Sequence, residues 1–276
     1  MFTENQLSEI KKLISPEKKV VIITHYNPDG DAIGSALGLK HFLNNMGVEP
    51  TVLAPNDFPK FLKWMPDAKK VVIAEYKRKT AGEAIYKADV IFCLDFNAHN
   101  RIGILGDWLM KSWAKKILID HHQQPENFDY VYSDVTIPAT CQMVYHFIEA
   151  LGREDLVDQN VAECLYTGIM TDTGGFRFRS TSATTHRIVA NLIEKGANPA
   201  MITSNTWDTN SVSRLHLLSL ILGRIELVKD GKVAVLYLKR EELKEFGFEK
   251  GDTEGFVNYG LSIAGTKMAA FFMEDL

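Results

Sequence analysis

Residues 19–34, with the sequence KVVIITHYNPDGDAIG, carry the clearest indication of the fold. Residues 19–24 form a continuous apolar, β-branched run of strand length, which is the pattern of a strand buried on both faces. The polar turn HYNPDGD follows, and the apolar periodicity of residues 32–47 is typical of a helix that ends at Gly47. The stretch therefore predicts a strand–turn–helix unit with its polar residues in the turn.

The same order of strand and helix recurs outward from this unit. Further strand-like runs are residues 50–54, 71–74, 89–96 and 113–122, and further helical patterns are residues 80–88, 139–151 and 158–170. Alternating strands and helices predict an α/β domain with a parallel sheet. Polar clusters follow three of the apolar strands, at the sheet edge where α/β proteins bind ligands.

The composition changes near residue 197, which predicts a second domain. We expect a first domain over residues 1–196, a connector with a linker helix over residues 197–223, and a smaller α+β domain over residues 224–276. The last segment contains a β-hairpin pattern around Asp230-Gly231, a helical stretch EELKEFG and the start of another strand pair.

Composition and charge exclude several classes of protein. The chain has 276 residues, 31 basic and 35 acidic side chains, and a formal net charge of −4, so it lacks the basic footprint of a protein that binds long nucleic acid. It has no apolar run of membrane-spanning length, and its N-terminus lacks the pattern of a secretory signal. Its three cysteines have no CxxC spacing. We therefore expect a cytoplasmic protein with reduced thiols and no membrane partner.

Four acidic clusters occur in chain order, and three of them follow predicted strands. They are His25-x-x-x-Asp29-x-Asp31, Asp95, Asp120-His121-His122 and Asp172. Each cluster alone is also typical of a surface turn, a helix cap or a polar surface. Together, carboxylates and imidazoles at one sheet edge suit divalent ions such as manganese, because like charges packed together need a neutralising cation. Two such ions, about 3.5–4 Å apart, can share a carboxylate and activate a water as hydroxide for attack on a phosphoester.

The segments THYNPDGDAIGSA, LDF, LIDHH and GIMTDTGGFRF resemble, in order, the motifs of the DHH phosphoesterase family. The resemblance is strong over residues 19–190 and continues into EGFVNYGLSIAGTKMAAFFME, which is similar to the opening of a DHH-associated substrate-binding domain. It implies one manganese ion held by His25, Asp29 and Asp95. It implies a second held by Asp31, Asp95, His121 and Asp172. It further implies that Asp120 orients His121, that His122 contacts the scissile phosphate as a general acid, and that Arg101 faces the substrate.

Within the family, the chain resembles the nanoRNase and 3′-phosphoadenosine-5′-phosphate phosphatase branch. The resemblance implies hydrolysis of short oligoribonucleotides or of that nucleotide, and it allows a homodimer. The alternatives are a cyclic or linear dinucleotide phosphodiesterase, an exopolyphosphatase and, from another class, a nucleotide-binding regulator without activity. NanoRNase members end in a glycine-rich GGGH segment. This sequence stops at Leu276 without one. Either the sequence is a truncated form, which its end directly after a strand-like run favours, or the protein lacks this element.

Overall fold

The computed structural model describes residues 2–249 and 251–275. Over these residues, the first part of the chain forms a parallel sheet of six strands in the order β3-β2-β1-β4-β5-β6. The strands are β1 (Val20–Ile23), β2 (Thr51–Ala54), β3 (Val72–Ile73), β4 (Val90–Leu94), β5 (Lys115–Asp120) and β6 (Tyr130–Ser133). The strand order reverses between the neighbours β1 and β4, and α/β proteins bind ligands beside such a switch point. The parallel sheet predicted from the sequence is confirmed.

Helices cover both faces of this sheet. They are α1 (Glu4–Leu13), α2 (Gly30–Asn45), α3 (Arg78–Lys87), α4 (Ile104–Lys111), α5 (Thr140–Leu151), α6 (Gln159–Asp172), α7 (Ala183–Glu194) and α8 (Pro199–Trp207). Successive strand residues point to opposite faces, so Ile22 and Phe92 pack in the core under α2, α5 and α6, whereas Ile23 and Cys93 pack under α3 and α4. This double burial explains the continuous apolar runs in the sequence.

Glycines allow α2 and α6 to pack unusually close together. A Cβ atom added to Gly34 would lie 2.6 Å from the backbone oxygen of Cys164, and one added to Gly168 would lie 2.2 Å from Sγ of Cys141 and 2.9 Å from Oδ1 of Asp31. No larger side chain fits at either position without a shift of the backbone or of neighbouring side chains. The close approach brings Asp31, at the start of α2, to the same end of the sheet as Asp172, at the end of α6.

The structure divides into two compact units between Asn205 and Thr206, within α8. The second unit contains α9 (Val212–Gly223), β7 (Glu226–Val228), β8 (Val233–Leu238), α10 (Arg240–Glu245), α11 (Phe256–Leu261) and β9 (Met268–Met273). β7 and β8 form the predicted hairpin, and β9 pairs with β8 in parallel. This unit has its own core around Leu236 and Phe256, which fits the predicted smaller α+β fold.

Several elements differ from the sequence prediction. The structure has α4, β6 and α7 where no element was predicted, and α8 occupies part of the predicted connector over residues 197–212. The helix was interpreted as a connector because it contains polar residues such as Thr203 and Asn205. Within the described parts of the chain, every helix is too short or too polar to span a membrane.

Candidate metal centre and active site

The loop after β1 carries three of the predicted ligands. His25 is buried, Asp29 is the N-cap of α2, and Asp31 lies in the first turn of that helix. Oδ1 of Asp29 accepts hydrogen bonds of 3.0 Å from the backbone N–H groups of Asp31 and Ala32, as an N-cap carboxylate does. Oδ2 of Asp29 lies 3.8 Å from His25 Nε2. The start of α2 therefore holds one carboxylate beside His25.

Asp95 follows β4 and is the central carboxylate of the site. Its φ of +65° is uncommon for a residue other than glycine, although aspartate and asparagine tolerate this conformation best. The side chain is buried, and its two oxygens face different histidines: Oδ2 lies 3.5 Å from His25 Nε2, and Oδ1 lies 3.4 Å from His121 Nε2. Asp95 thus joins the residues after β1 to those after β5.

The six predicted metal ligands come together in two groups. In the first group, the candidate ligand atoms of His25, Asp29 and Asp95 lie within 4.8 Å of one another. In the second, the same limit holds for Asp31, His121 and Asp172. In that second group His121 Nε2 lies 3.9 Å from Asp31 Oδ2 and 3.5 Å from Asp172 Oδ2.

The N-terminus of α5 orients two of these carboxylates. The backbone N–H groups of Thr140 and Cys141 donate to Oδ2 and Oδ1 of Asp31, at 2.5 and 2.8 Å. The hydroxyl of Thr140 donates to Oδ1 of Asp95 at 2.9 Å. Neither Thr140 nor Cys141 was among the site residues predicted from the sequence. The helix start near residue 139 was the available signal, because free N–H groups at a helix N-terminus bind anions.

Backbone carbonyl groups fix the ring orientation of both candidate histidine ligands. Nδ1 of His25 donates to the carbonyl of Tyr26 at 2.8 Å, and Nδ1 of His121 donates to the carbonyl of Ile137 at 3.2 Å. A carbonyl oxygen can only accept, so the proton lies on Nδ1 in each ring. Nε2 then faces the carboxylates. A hydrogen bond from the other ring nitrogen to a backbone carbonyl is typical of metal-binding histidines.

Asp120 contacts a different histidine from the one expected. Its Oδ1 accepts a hydrogen bond of 2.6 Å from Nδ1 of His122, whereas the expected partner His121 uses its Nδ1 for Ile137. Asp120 is fully buried, and its Oδ2 has no hydrogen-bond partner among the described residues. The expectation that Asp120 orients His121 is therefore wrong. The sequence contained the correct signal, because residues two apart in an extended chain lie on the same side.

The carboxyl groups of the second group have raised pKa values. Burial, together with the charge of Asp95, raises the pKa of Asp31 to about 7. Burial and the charges of Asp31, Asp29 and Asp95 raise the pKa of Asp172 to about 10. For Asp95, hydrogen bonds with His121 and His25 outweigh the effect of burial and lower the pKa. Without metal, Asp172 therefore stays protonated near neutral pH, whereas Asp31 gains and loses its proton in that range.

The pKa values of His25 and His121 are also raised, because carboxylates surround both rings. Burial lowers the pKa of His25, but its hydrogen bonds with Asp29 and Asp95 outweigh burial and raise the pKa to about 11. Burial is likewise outweighed at His121, where the hydrogen bond with Asp95 and the charge of Asp31 raise the pKa to about 10. Divalent cations would neutralise the carboxylates in place of these protons, since ligation requires ionised carboxylates and neutral imidazoles. The residue set therefore fits divalent metal ions.

Arg101 lies beside the site but outside both ligand groups. Its backbone carbonyl accepts a hydrogen bond of 2.7 Å from the N–H of Tyr26, which ties the 3₁₀ helix His99–Ile102 to the loop after β1. Its guanidinium group makes no hydrogen bond or ion pair with the described residues, and the side chain is half-buried. The backbone of Arg101 therefore adjoins the His25 loop, and its guanidinium group has no partner among the described residues.

The chain is similar to several known proteins in sequence and in structure. The family model described as the DHH family, N-terminal domain, matches residues 19–169. The bifunctional oligoribonuclease and PAP phosphatase NrnA of Thermus thermophilus is 30% identical over 267 residues, which cover 96% of this chain and 75% of the relative. The protein of the same name from Bacillus subtilis is 24% identical, over 97% of this chain and 82% of the relative. The crystal structure of an exopolyphosphatase-related protein from Bacteroides fragilis superposes with a TM-score of 0.95 at 39% identity, over 99% of this chain and 81% of that one.

Proposed function

The chain belongs to the DHH family, and we propose that it is a manganese-dependent phosphoesterase that holds two ions. Its proposed substrates are short oligoribonucleotides and 3′-phosphoadenosine-5′-phosphate. The relatives named oligoribonuclease and PAP phosphatase support these substrates, because they align over nearly the whole chain. The net charge of −4 supports short substrates, since affinity for long nucleic acid depends on many basic contacts to phosphate.

The position of Asp95 is the observation that carries the proposal. A carboxylate shared by two ions must present one oxygen to each, and the two oxygens of Asp95 face His25 and His121 separately. We therefore assign His25, Asp29 and Asp95 to one ion. We assign Asp31, Asp95, His121 and Asp172 to the other. Mixed carboxylate and imidazole ligands suit manganese.

Two bound ions would neutralise the phosphate oxygens of a substrate and lower the pKa of a shared water. Residues that do not bind the ions would orient those that do. Thr140 and the N-terminus of α5 keep Asp95 and Asp31 oriented, so that the ligand groups are arranged before substrate binds. Preorganised charge of this kind is a main source of catalysis in phosphoryl transfer.

His122 is the proposed proton donor to the leaving oxygen. Its Nδ1 is held by the buried Asp120, which leaves Nε2 as the ring atom that can exchange a proton. The side chain of His122 is also partly exposed, whereas that of Asp120 is not. We propose that Arg101 binds substrate phosphate, because its backbone is hydrogen-bonded to the His25 loop and its guanidinium group has no partner among the described residues.

A second candidate substrate is inorganic polyphosphate. The solved structure that is 39% identical carries the description exopolyphosphatase-related, which supports including this substrate in the test. Hydrolysis of nucleotides and hydrolysis of polyphosphate would need the same metal centre. The two activities differ in whether the protein recognises a nucleoside.

An activity panel on the purified chain tests the proposal. The protein would be stripped of metal and reconstituted with manganese, magnesium, zinc or calcium, and then assayed on 3′-phosphoadenosine-5′-phosphate, oligoribonucleotides of two to five residues, a long single strand, a cyclic dinucleotide and polyphosphate. We expect the fastest turnover with manganese on the short nucleotide substrates, and two ions per chain by element analysis. A rate on polyphosphate that exceeds all nucleotide rates would favour the second candidate. Binding of a single ion would contradict the two-ion site.

A further inference from the structure

Tyr26 directly follows the candidate ligand His25 and exposes half of its side chain, 51%. The ring lies against Gly103: a Cβ atom added to that glycine would lie 3.4 Å from Cδ2 of Tyr26. Its backbone is fixed on both sides, because the N–H donates to the carbonyl of Arg101 and the carbonyl accepts from His25. The ring is thus supported by the backbone of Gly103 while much of it remains open to solvent.

Phe178 lies in the loop that directly follows Asp172, a member of the other ligand group. It lies six residues after Asp172 in the chain, and its side chain is 44% exposed. A Cβ atom added to Gly174 would lie 2.6 Å from Cε1 and Cζ of its ring, so the ring occupies the space that a side chain at Gly174 would need. The loop folds back through Gly174, Gly175 and Phe176, all with positive φ, which returns Phe178 to the end of α6.

Each ring has arginines close to it in the structure or the chain. The carbonyl of Arg101 is hydrogen-bonded to Tyr26, and Arg177 and Arg179 flank Phe178. Nε of Arg177 donates to the carbonyl of Gly174 at 2.6 Å, which holds it in the same turn as the Phe178 ring. Exposed aromatic rings beside cationic groups are the means by which proteins bind single-stranded nucleic acid, because bases stack on the rings and phosphates contact the cations.

A lone exposed aromatic residue is ordinary on a protein surface. Tyr86 and Trp113, for example, are more exposed than either ring. They lie near the amino-terminal ends of β4 and β5, away from the ligands at the carboxyl ends. Tyr26 and Phe178 differ from them because each lies in a loop next to a candidate ligand, and each ring packs against a glycine.

We propose that Tyr26 and Phe178 are stacking platforms for the two nucleobases that flank the scissile phosphate of a short oligonucleotide. This inference rests on the proposed phosphoesterase function and adds the residues that recognise the bases. The ring beside His25 would receive the base on one side of the phosphate, and the ring beside Asp172 would receive the base on the other side. A substrate with one base, such as 3′-phosphoadenosine-5′-phosphate, would use only one of the rings.

The test compares Tyr26→Leu and Phe178→Leu on three substrates: a diadenylate, its abasic analogue and 3′-phosphoadenosine-5′-phosphate. Loss of one stacked base predicts a rise of roughly tenfold in KM for the diadenylate in each variant, with a smaller change in kcat. The ratio of KM for the diadenylate to KM for the abasic analogue should rise accordingly. On the nucleotide with one base, only one of the two variants should raise KM. Calorimetric titration with the diadenylate gives the same comparison without turnover.

Conservative and remote variants are the controls. Tyr26→Phe and Phe178→Tyr keep a ring at each position and should retain the wild-type KM. Tyr86→Leu removes an exposed ring outside the site and should change neither constant. The inference is overturned when both Leu variants keep a KM for the diadenylate within about twofold of wild type. It is also overturned when KM for the abasic analogue rises as much as KM for the diadenylate. A wild-type protein that hydrolyses none of the three substrates would instead contradict the proposed function, and the calorimetric comparison would still decide whether the rings bind bases.

Discussion

The hydroxyl of Thr140, the first residue of α5, donates a hydrogen bond of 2.9 Å to Oδ1 of Asp95. Asp95 has an uncommon positive φ, and its carboxylate must be oriented accurately if it serves two ions. The backbone N–H of the same threonine contacts Asp31. One residue therefore orients Asp95, which we propose is shared by the two ions, and Asp31 of the second ligand group.

Thr140→Val removes this hydroxyl while it keeps the size and branching of the side chain. We expect metal affinity or kcat to fall by about 10–100-fold, as is usual when a partner of a metal ligand is lost. Thr140→Ser retains a hydroxyl and should recover most of the loss. Manganese titration and steady-state kinetics on both variants make the measurement. Equal losses in the valine and serine variants would contradict an orienting role for the hydroxyl.

Asp95→Asn should abolish turnover more completely than the loss of any ligand of a single ion, because in the proposed assignment it weakens the binding of both ions at once. The fold should survive, since asparagine tolerates a positive φ about as well as aspartate does. Circular dichroism would check the fold, and Asp29→Asn would be the matched single-group variant. Near-normal turnover in Asp95→Asn would show that the carboxylate is not shared.

Gly34→Ala should destabilise the packing of α2 against α6. The added Cβ would meet the backbone oxygen of Cys164 at 2.6 Å, and overpacking of this kind costs about 1–3 kcal/mol. The better helix propensity of alanine offsets about 1 kcal/mol of that cost. Gly223→Ala is the control, because nothing lies within 4 Å of a Cβ atom there. Urea unfolding should show a lower free energy of unfolding for Gly34→Ala and no decrease for Gly223→Ala.

The stability of the metal-free protein should fall as pH rises from 6.5 to 9. Burial and neighbouring carboxylates raise the pKa of Asp172 to about 10, and hydrogen bonds with Asp29 and Asp95 outweigh burial and raise that of His25 to about 11. A raised folded-state pKa gives stability that is complete below the unfolded pKa and is lost as pH rises through the folded one. His41, whose pKa is lowered by burial, acts in the opposite direction only below about pH 6.5.

Thermal unfolding in a chelator and in manganese would make this measurement. Bound metal takes the place of the protons, so the decline in Tm should disappear when manganese is present. Asp172→Asn should flatten the decline in the chelator, because it removes one of the groups with a raised pKa. A Tm that rises with pH in the chelator would contradict the assignment.

The sequence was sufficient to predict the sheet and the edge at which the site forms. Buried strands read as apolar runs, and His25, Asp95 and His121 follow three of them, so their common location needed only the rule that parallel strands end at one edge. α4 and α7 were not predicted. α4 is short, and the amphipathic pattern of α7 follows directly after the loop of the fourth motif, so the polar residues of that loop hid its start.

The contacts that orient the site could not be predicted in the same way. Thr140 and Asp95 are 45 residues apart, and their hydrogen bond depends on how α5 packs against the sheet. The contact of Asp120 with His122 is local and could have been found, because alternate residues of an extended chain share a side. The resemblance to a family directed attention to His121 instead.

The last prediction separates proton donation by His122 from simple phosphate binding. A nucleoside leaves as a basic alkoxide and needs a proton, whereas p-nitrophenolate is acidic enough to leave without one. If His122 is the general acid, His122→Ala should lower kcat on a dinucleotide by about 10²–10⁴-fold and should lower it far less on a nucleotide p-nitrophenyl ester. Asp120→Asn should show the same dependence on the leaving group, since Asp120 holds the proton on Nδ1 of His122. His146→Ala is the control, because His146 pairs with Glu149 on α5 outside the site, and it should behave as wild type on both substrates. Equal losses on both esters in His122→Ala would assign the residue to phosphate binding and would leave the proton to another donor.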